Sequence, residues 1–258
     1  MLDVIELSSI PMFLLVFARI LAFFLTIPLF SYRTIPTMFK IGFSFFLSLV
    51  MLTGMDSSAF ELNHLYFLLL IKEVLVGLLI GLIAYIILSA VQIAGGFIDF
   101  QMGFAVANVI DPQTGAQSPL IGQYFYMFAL LFLLSVNGHY LLIDGVYNSY
   151  QFIPIDAFLS FNELFSEFII ITFNKMFVIA FQMAIPLVGC LFLVDVALGI
   201  IARTVPQLNV FVVGLPLKIA VSFTVLFFFI SIYIMLAKTL FETMFETMRD
   251  LMVILGGG

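Results

Sequence analysis

Apolar residues do not alternate with polar ones along this chain but run together in six stretches, at 10–30, 41–55, 65–94, 120–136, 168–202 and 209–237. About 20 apolar residues at 1.5 Å each cross a hydrocarbon core, so runs on this scale predict membrane helices. The first stretch covers about 31 Å and predicts a full span. The second, at roughly 15 residues, is short for a perpendicular crossing, whereas the third and fifth are long enough to tilt, kink or project beyond the bilayer. The predicted fold class is an all-α integral membrane protein: about six hydrophobic helical segments in hairpins, some not spanning the bilayer conventionally.

One long polar interruption breaks this pattern, GGFIDFQMGFAVANVIDPQTGAQSPLIGQ at 95–123. Within it Asn108, Asp111, Gln113, Thr114, Gln117 and Ser118 crowd around Pro112, Gly115 and Pro119, a mixture that stops a helix and leaves backbone groups unpaired. Irregular backbone at membrane depth is tolerated only where protein buries it or a watery cavity receives it. The segment is therefore either a solvated connector or a constriction loop, and its depth decides between the two. Residues 137–160 are of intermediate polarity and rich in Tyr, which suits an interfacial segment or a connector between two helical halves.

Composition agrees with the pattern. Hydrophobic residues make up 64% of the 258 and charged residues 9%, and the mean hydropathy is +1.27. Soluble domains carry about a quarter charged residues. Phe occurs 33 times and Trp never, so an aromatic belt at the interface rests on the 9 Tyr. The net charge of −6 excludes nucleic acid as a partner class, because phosphate binding needs a basic surface. The lone Cys190 has no disulfide partner and reads as a small buried hydrophobe. At the N-terminus Asp3 and Glu6 stand where a secretory leader is positive, and Arg19 interrupts the apolar run, so a span rather than a leader is expected. Arg33 and Lys40 against Asp56 and Glu61 put the first connector in the cytoplasm by the positive-inside rule.

Candidate chemistry is sparse. His64 and His139 are isolated from other ligand types, and no G-x-S-x-G, H-E-x-x-H, phosphate-loop or dinucleotide fingerprint occurs. A non-enzyme without cofactor or metal is expected. More informative are the charges inside apolar stretches. Lys72 and Glu73 lie near the start of the third; as neighbours on a helix they point about 100° apart, so each is expected to need its own partner or water. Gly77 and Gly81 share a face and predict close backbone approach, either inside the chain or against another subunit. The fifth and sixth stretches form a hairpin turning at Arg203, Pro206, Gln207 and Asn209. Asp195 precedes Pro206 by 11 residues and Lys218 follows it by 12, which places both about 17 Å from the turn. A cross-hairpin ion pair is expected, with a proton relay as the alternative. Pro186 and Pro216 predict kinks.

Several blocks together resemble the FliR family of flagellar export-gate proteins, kin to the matching subunit of virulence type III secretion systems. They are KEVLVGLLIGL at 72–82, FAVANVIDPQTGAQSPLIGQ at 104–123, NGHYLLIDGVYNSY at 137–150 and ARTVPQLNVFVVGLPLK at 202–218. The resemblance spans nearly the whole chain, and its last block is the most specific. It implies a FliP-like N-terminal part at 1–160 containing the central stretch 95–123, and a FliQ-like helical hairpin at 161–258. It implies co-assembly with FliP-like and FliQ-like subunits at the mouth of an export channel, contact with FlhB-like and FlhA-like components, and unfolded flagellar proteins as substrates. The location it implies is the inner membrane at the flagellar basal body, in contact with lipid. It also implies that the loop containing Asn108, Asp111, Pro112, Gln113, Thr114, Gly115, Gln117 and Ser118 reaches the channel axis and helps close it. One departure is visible: the family leads us to expect a glycine soon after Lys218, where Ala220, Val221 and Ser222 stand.

Two other classes stay open. Broken helices with buried charges also mark secondary transporters and small-solute channels, although the matched breaks of a transporter repeat are not evident. An assembly scaffold of a virulence-type secretion system would use the same packing faces without conducting anything.

Overall fold

The computed structural model describes residues 9–32, 34–55, 64–104, 119–159, 161–207 and 209–257. Among them the chain is all-α: α1 Ile10–Thr26, α2 Thr37–Thr53, α3 His64–Met102, α4 Leu120–Ser135, α5 Gly138–Phe152, α6 Glu163–Thr204 and α7 Val210–Gly256. Three of these, α3, α6 and α7, are long and apolar enough to cross a membrane. At 39, 42 and 47 residues they exceed the roughly 20 that one crossing needs. Pro186 and Pro216 lie inside α6 and α7 without ending them.

One sequence expectation changes. The first apolar stretch does not yield a full-length span, because α1 stops at Thr26 after 17 residues. Pro28 forces the residue before it out of helical geometry, and Ile27 is extended at φ −65°, ψ 134°. The segment after 137, read as interfacial or as a connector between two helical halves, is a helix. Just before it stands Asn137, at φ 59° and ψ 23°, a left-handed conformation that Asn tolerates better than most residues.

The chain divides into two compact units, and both draw on sequence from either side of residue 160. The first comprises 1–87, 137–173 and 243–258. Here α1 meets α2 through aromatic edges, Phe13 on Phe45 at 5.2 Å and Phe24 on Phe43 at 5.2 Å. It meets α3 through backbone: a Cβ built on Gly77 would lie 2.2 Å from the Arg19 carbonyl oxygen, and one on Gly81 would lie 2.0 Å from Thr26 Oγ1. The Gly77/Gly81 face is thus an internal groove filled by α1.

The second unit comprises 88–136 and 174–242. Phe97 of α3 stacks on Phe181 of α6 at 5.0 Å, and Tyr233 of α7 packs on Phe125 of α4 while donating to its carbonyl at 2.8 Å. Between α4, α6 and α7 lies a hollow of about 610 Å³ lined by hydrocarbon, including Phe128, Met183, Leu187 and Phe227. Ser222, where the family pattern suggests glycine, is fully buried and returns its hydroxyl to the Lys218 carbonyl at 2.6 Å, so close packing is kept there.

Candidate functional site

Charge buried in a membrane protein must be paired or hydrogen-bonded, so the buried ionic groups show where the fold spends polar interactions. In the first unit they gather around Arg19. Its Nε and Nη2 donate to the two carboxylate oxygens of Glu73 at 2.5 and 2.9 Å, a fork-to-fork geometry that only a guanidinium provides. Nη1 donates to Ser149 Oγ at 2.9 Å and Nη2 also to the Ile153 carbonyl at 3.0 Å, while Cζ lies 3.8 Å from the centre of the Tyr150 ring. Arg19 and Glu73 are both fully buried.

Lys72 joins this cluster. Its Nζ reaches Glu73 Oε1 at 2.6 Å and donates to the carbonyls of Pro154 and Ile155 at 2.8 and 2.9 Å. The expectation that adjacent Lys72 and Glu73 do not pair is therefore incorrect. A four-carbon stem lets the ammonium swing back over the helix, so the angle between Cα–Cβ vectors does not fix where the charge sits. Arg19 and Lys72 between them take three carbonyls just past the end of α5, where cations are favoured and helix carbonyls lack partners. The cluster ties α1, α3 and α5 together with no open position for a substrate.

In the second unit the central polar stretch is fixed at both ends. Gly103, at φ +89°, stops α3 in a Schellman turn in which Phe104 N–H donates to the Asp99 carbonyl at 3.0 Å and Gly103 N–H to that of Phe100 at 3.2 Å. The Asp99 side chain then acts on the next element. Its Oδ2 and Oδ1 accept from the Ile121 amide at 3.0 and 3.3 Å. That amide is among the first donors of α4, which have no partner within the helix. The α4 N-cap position itself is Pro119, which offers no side-chain cap. A cap of this kind is worth about 0.5–2 kcal/mol. Beside it a Cβ on Gly95 would fall 2.0 Å from the Gly122 Cα, so the two backbones touch.

Lys218 and Asp195 form an ion pair across the hairpin of α6 and α7, as expected from their similar distances from the turn, with side chains 21% and 37% exposed. Gln101 Nε2 also donates to Asp195 Oδ2 at 2.8 Å. At the turn, Arg203 occupies the last turn of α6, where a cation suits the helix dipole. Asn209 Oδ1 accepts from Val212 N–H at 3.4 Å at the start of α7, and Pro206 and Gln207 are exposed. Asn108, Asp111, Pro112, Gln113, Thr114, Gly115, Gln117 and Ser118 lie outside the described residues, as do Arg33, Asp56 and Glu61, on which the orientation rests.

Sequence reasoning missed Asp99, Gln101, Ser149 and Tyr150, and read Arg19 only as an interruption. One signal was present: Asp99 and Arg19, like Lys72, are ionisable residues in oily surroundings. Among the described residues no group of three or more His, Cys, Asp or Glu is placed to hold a metal ion.

Comparison with known proteins gives a consistent result. A family model described as bacterial export proteins, family 1, matches residues 10–244. The flagellar biosynthetic protein FliR of Bacillus subtilis (strain 168) is 58% identical over 249 residues, covering 95% of this chain and 96% of that protein. FliR of Escherichia coli (strain K12) is 28% identical, covering 81% of this chain and 80% of its own length. The Yop proteins translocation protein T of Yersinia pestis is 32% identical over 60% of each chain. With the family match running through α1, the charge cluster, the Asp99 seam and the α6/α7 hairpin, the chain belongs to the bacterial export proteins, family 1.

Proposed function

We propose that this chain is a non-enzymatic subunit of the flagellar type III protein export gate, in the bacterial inner membrane at the base of the flagellum. The observation that carries this reading is the 58% identity to a flagellar biosynthetic protein over nearly the full length of both chains. The chain co-assembles with FliP-like and FliQ-like membrane subunits, its 1–160 part resembling the former and its 161–258 part the latter. FlhB-like and FlhA-like components and unfolded flagellar proteins meet the complex it helps to build. The partly exposed Asp195–Lys218 pair supports a covered or wetted hairpin, since charges facing lipid at mid-depth cost about 2.5–3.5 kcal/mol each on insertion scales.

The polar segment from Asn108 to Ser118 constricts the path at rest. This rests on its sequence and on the family resemblance. Apart from Asp111 its polar side chains are neutral and offer no strong charge to trap a passing chain, and binding that is too tight stalls conduction. The test is co-expression with FliP-like and FliQ-like proteins, with and without residues 109–117. The full chain is expected to elute in one large complex, and the shortened chain to elute likewise while ion leak across the cell membrane rises. A chain that ignores those partners overturns the subunit reading, and a tight membrane around a normally assembled shortened chain overturns the constriction.

A further inference from the structure

The charge cluster around Arg19 leaves no position open, and the apolar hollow between α4, α6 and α7 carries no sign of what fills it. The Asp99 seam carries more. A helix that needs only a cap takes Ser, Thr, Asp or Asn at its own N-cap. Here that position is Pro119, and the acceptor comes from Asp99 on another helix, 3% exposed among apolar residues. The same residue supplies the carbonyl that closes α3, so Asp99 ends one helix with its backbone and begins the next with its side chain. The fit around it is tight: Gly95 lies against Gly122, and a Cβ on Gly122 would meet the Gln92 carbonyl oxygen at 3.0 Å.

We propose that Asp99 is a positioning residue for export: it locks the start of α4 against the end of α3, and export depends on the fixed spacing of those two helix ends. The export half rests on the function proposed above; the lock does not. Both carboxylate oxygens take part, so Asn, with one acceptor oxygen, keeps part of the lock and Ala keeps none. Gly95→Ala strains the same seam from the other side while leaving Asp99 intact.

The experiment uses the full chain co-expressed with its FliP-like and FliQ-like partners, with Cys190→Ser removing the native thiol. Spin labels replace the exposed Phe100 and Tyr124, and export is counted per assembled complex in unlabelled cells. The chain without further change is expected to give one narrow inter-label distance. Asp99→Ala and Gly95→Ala are expected to broaden or lengthen it, with Asp99→Asn between. Export per assembled complex is expected to fall severalfold in the same order. An unchanged distance in Asp99→Ala overturns the lock. A changed distance with export falling only as the amount of complex falls reduces Asp99 to a folding role and overturns the positioning claim. Export unaffected by removal of the whole chain refutes the proposed function instead, while the distances still judge the lock.

Discussion

Arg19 shows how much of this fold hangs on single side chains. It meets a carboxylate, a hydroxyl, a carbonyl and an aromatic face at once, so its loss leaves the fully buried Glu73 with Lys72 alone as a cation partner. Breaking a buried pair costs about 3–5 kcal/mol in soluble cores, whereas polar interactions in membranes average nearer 0.6 kcal/mol. Because one substitution removes several of these interactions together, Arg19→Gln is expected to destabilise by about 2–4 kcal/mol. Arg19→Lys should recover little, because a point charge cannot reproduce the fork. Thermal unfolding of the chain in detergent checks this, and an Arg19→Lys variant as stable as the starting chain refutes the role of the fork. Asp195 and Lys218 offer a contrast, since their pair is partly exposed and its loss should be milder. Asp195→Asn and Lys218→Gln singly are expected to lower the yield of assembled protein, with the double change regaining part of it; additive losses contradict the coupling. That pair was legible in the sequence because equal distances from one turn fix equal depth. The Arg19 cluster was not, because its partners lie 54 to 134 residues away and only tertiary packing joins them.

At the scale of elements, long apolar runs located most of the helices, and Pro28 inside the first run explains why α1 is shorter than the run itself. The helix after Asn137 was not legible. Its polarity and Tyr content suit an interface, but periodicity alone does not reveal that Asn137, just before it, takes a left-handed conformation. The glycine pair was legible as a close approach and ambiguous as to its partner, which proves to be α1. This changes what a bulky substitution should do. Gly81→Leu collides with Thr26 and Phe23 of the same chain, so it is expected to reduce folded protein even when the chain is expressed without partners. Size-exclusion profiles of the chain alone check this. A normal profile alone, with failure appearing only on assembly, returns that face to an intersubunit role.

For the molecule as a whole, the C-terminal helices are the least self-sufficient part. Only 22% of the most apolar window of α6 and 6% of that of α7 is buried within the chain, against 61% for α3. Faces so bare need lipid or neighbouring helices, as a subunit of a larger membrane assembly requires. The buried ionic groups and tight glycine packing hold α3 in both compact units, while the central polar stretch leaves from the Asp99 seam. Service in flagellar protein export is the role on which the rest depends. It is tested by the amount of flagellar protein that cells lacking the chain secrete into the medium, measured alongside their growth rate. Secretion and swimming are expected to be lost with growth unchanged, and both to return when the intact chain is restored. Normal secretion without the chain would contradict that role.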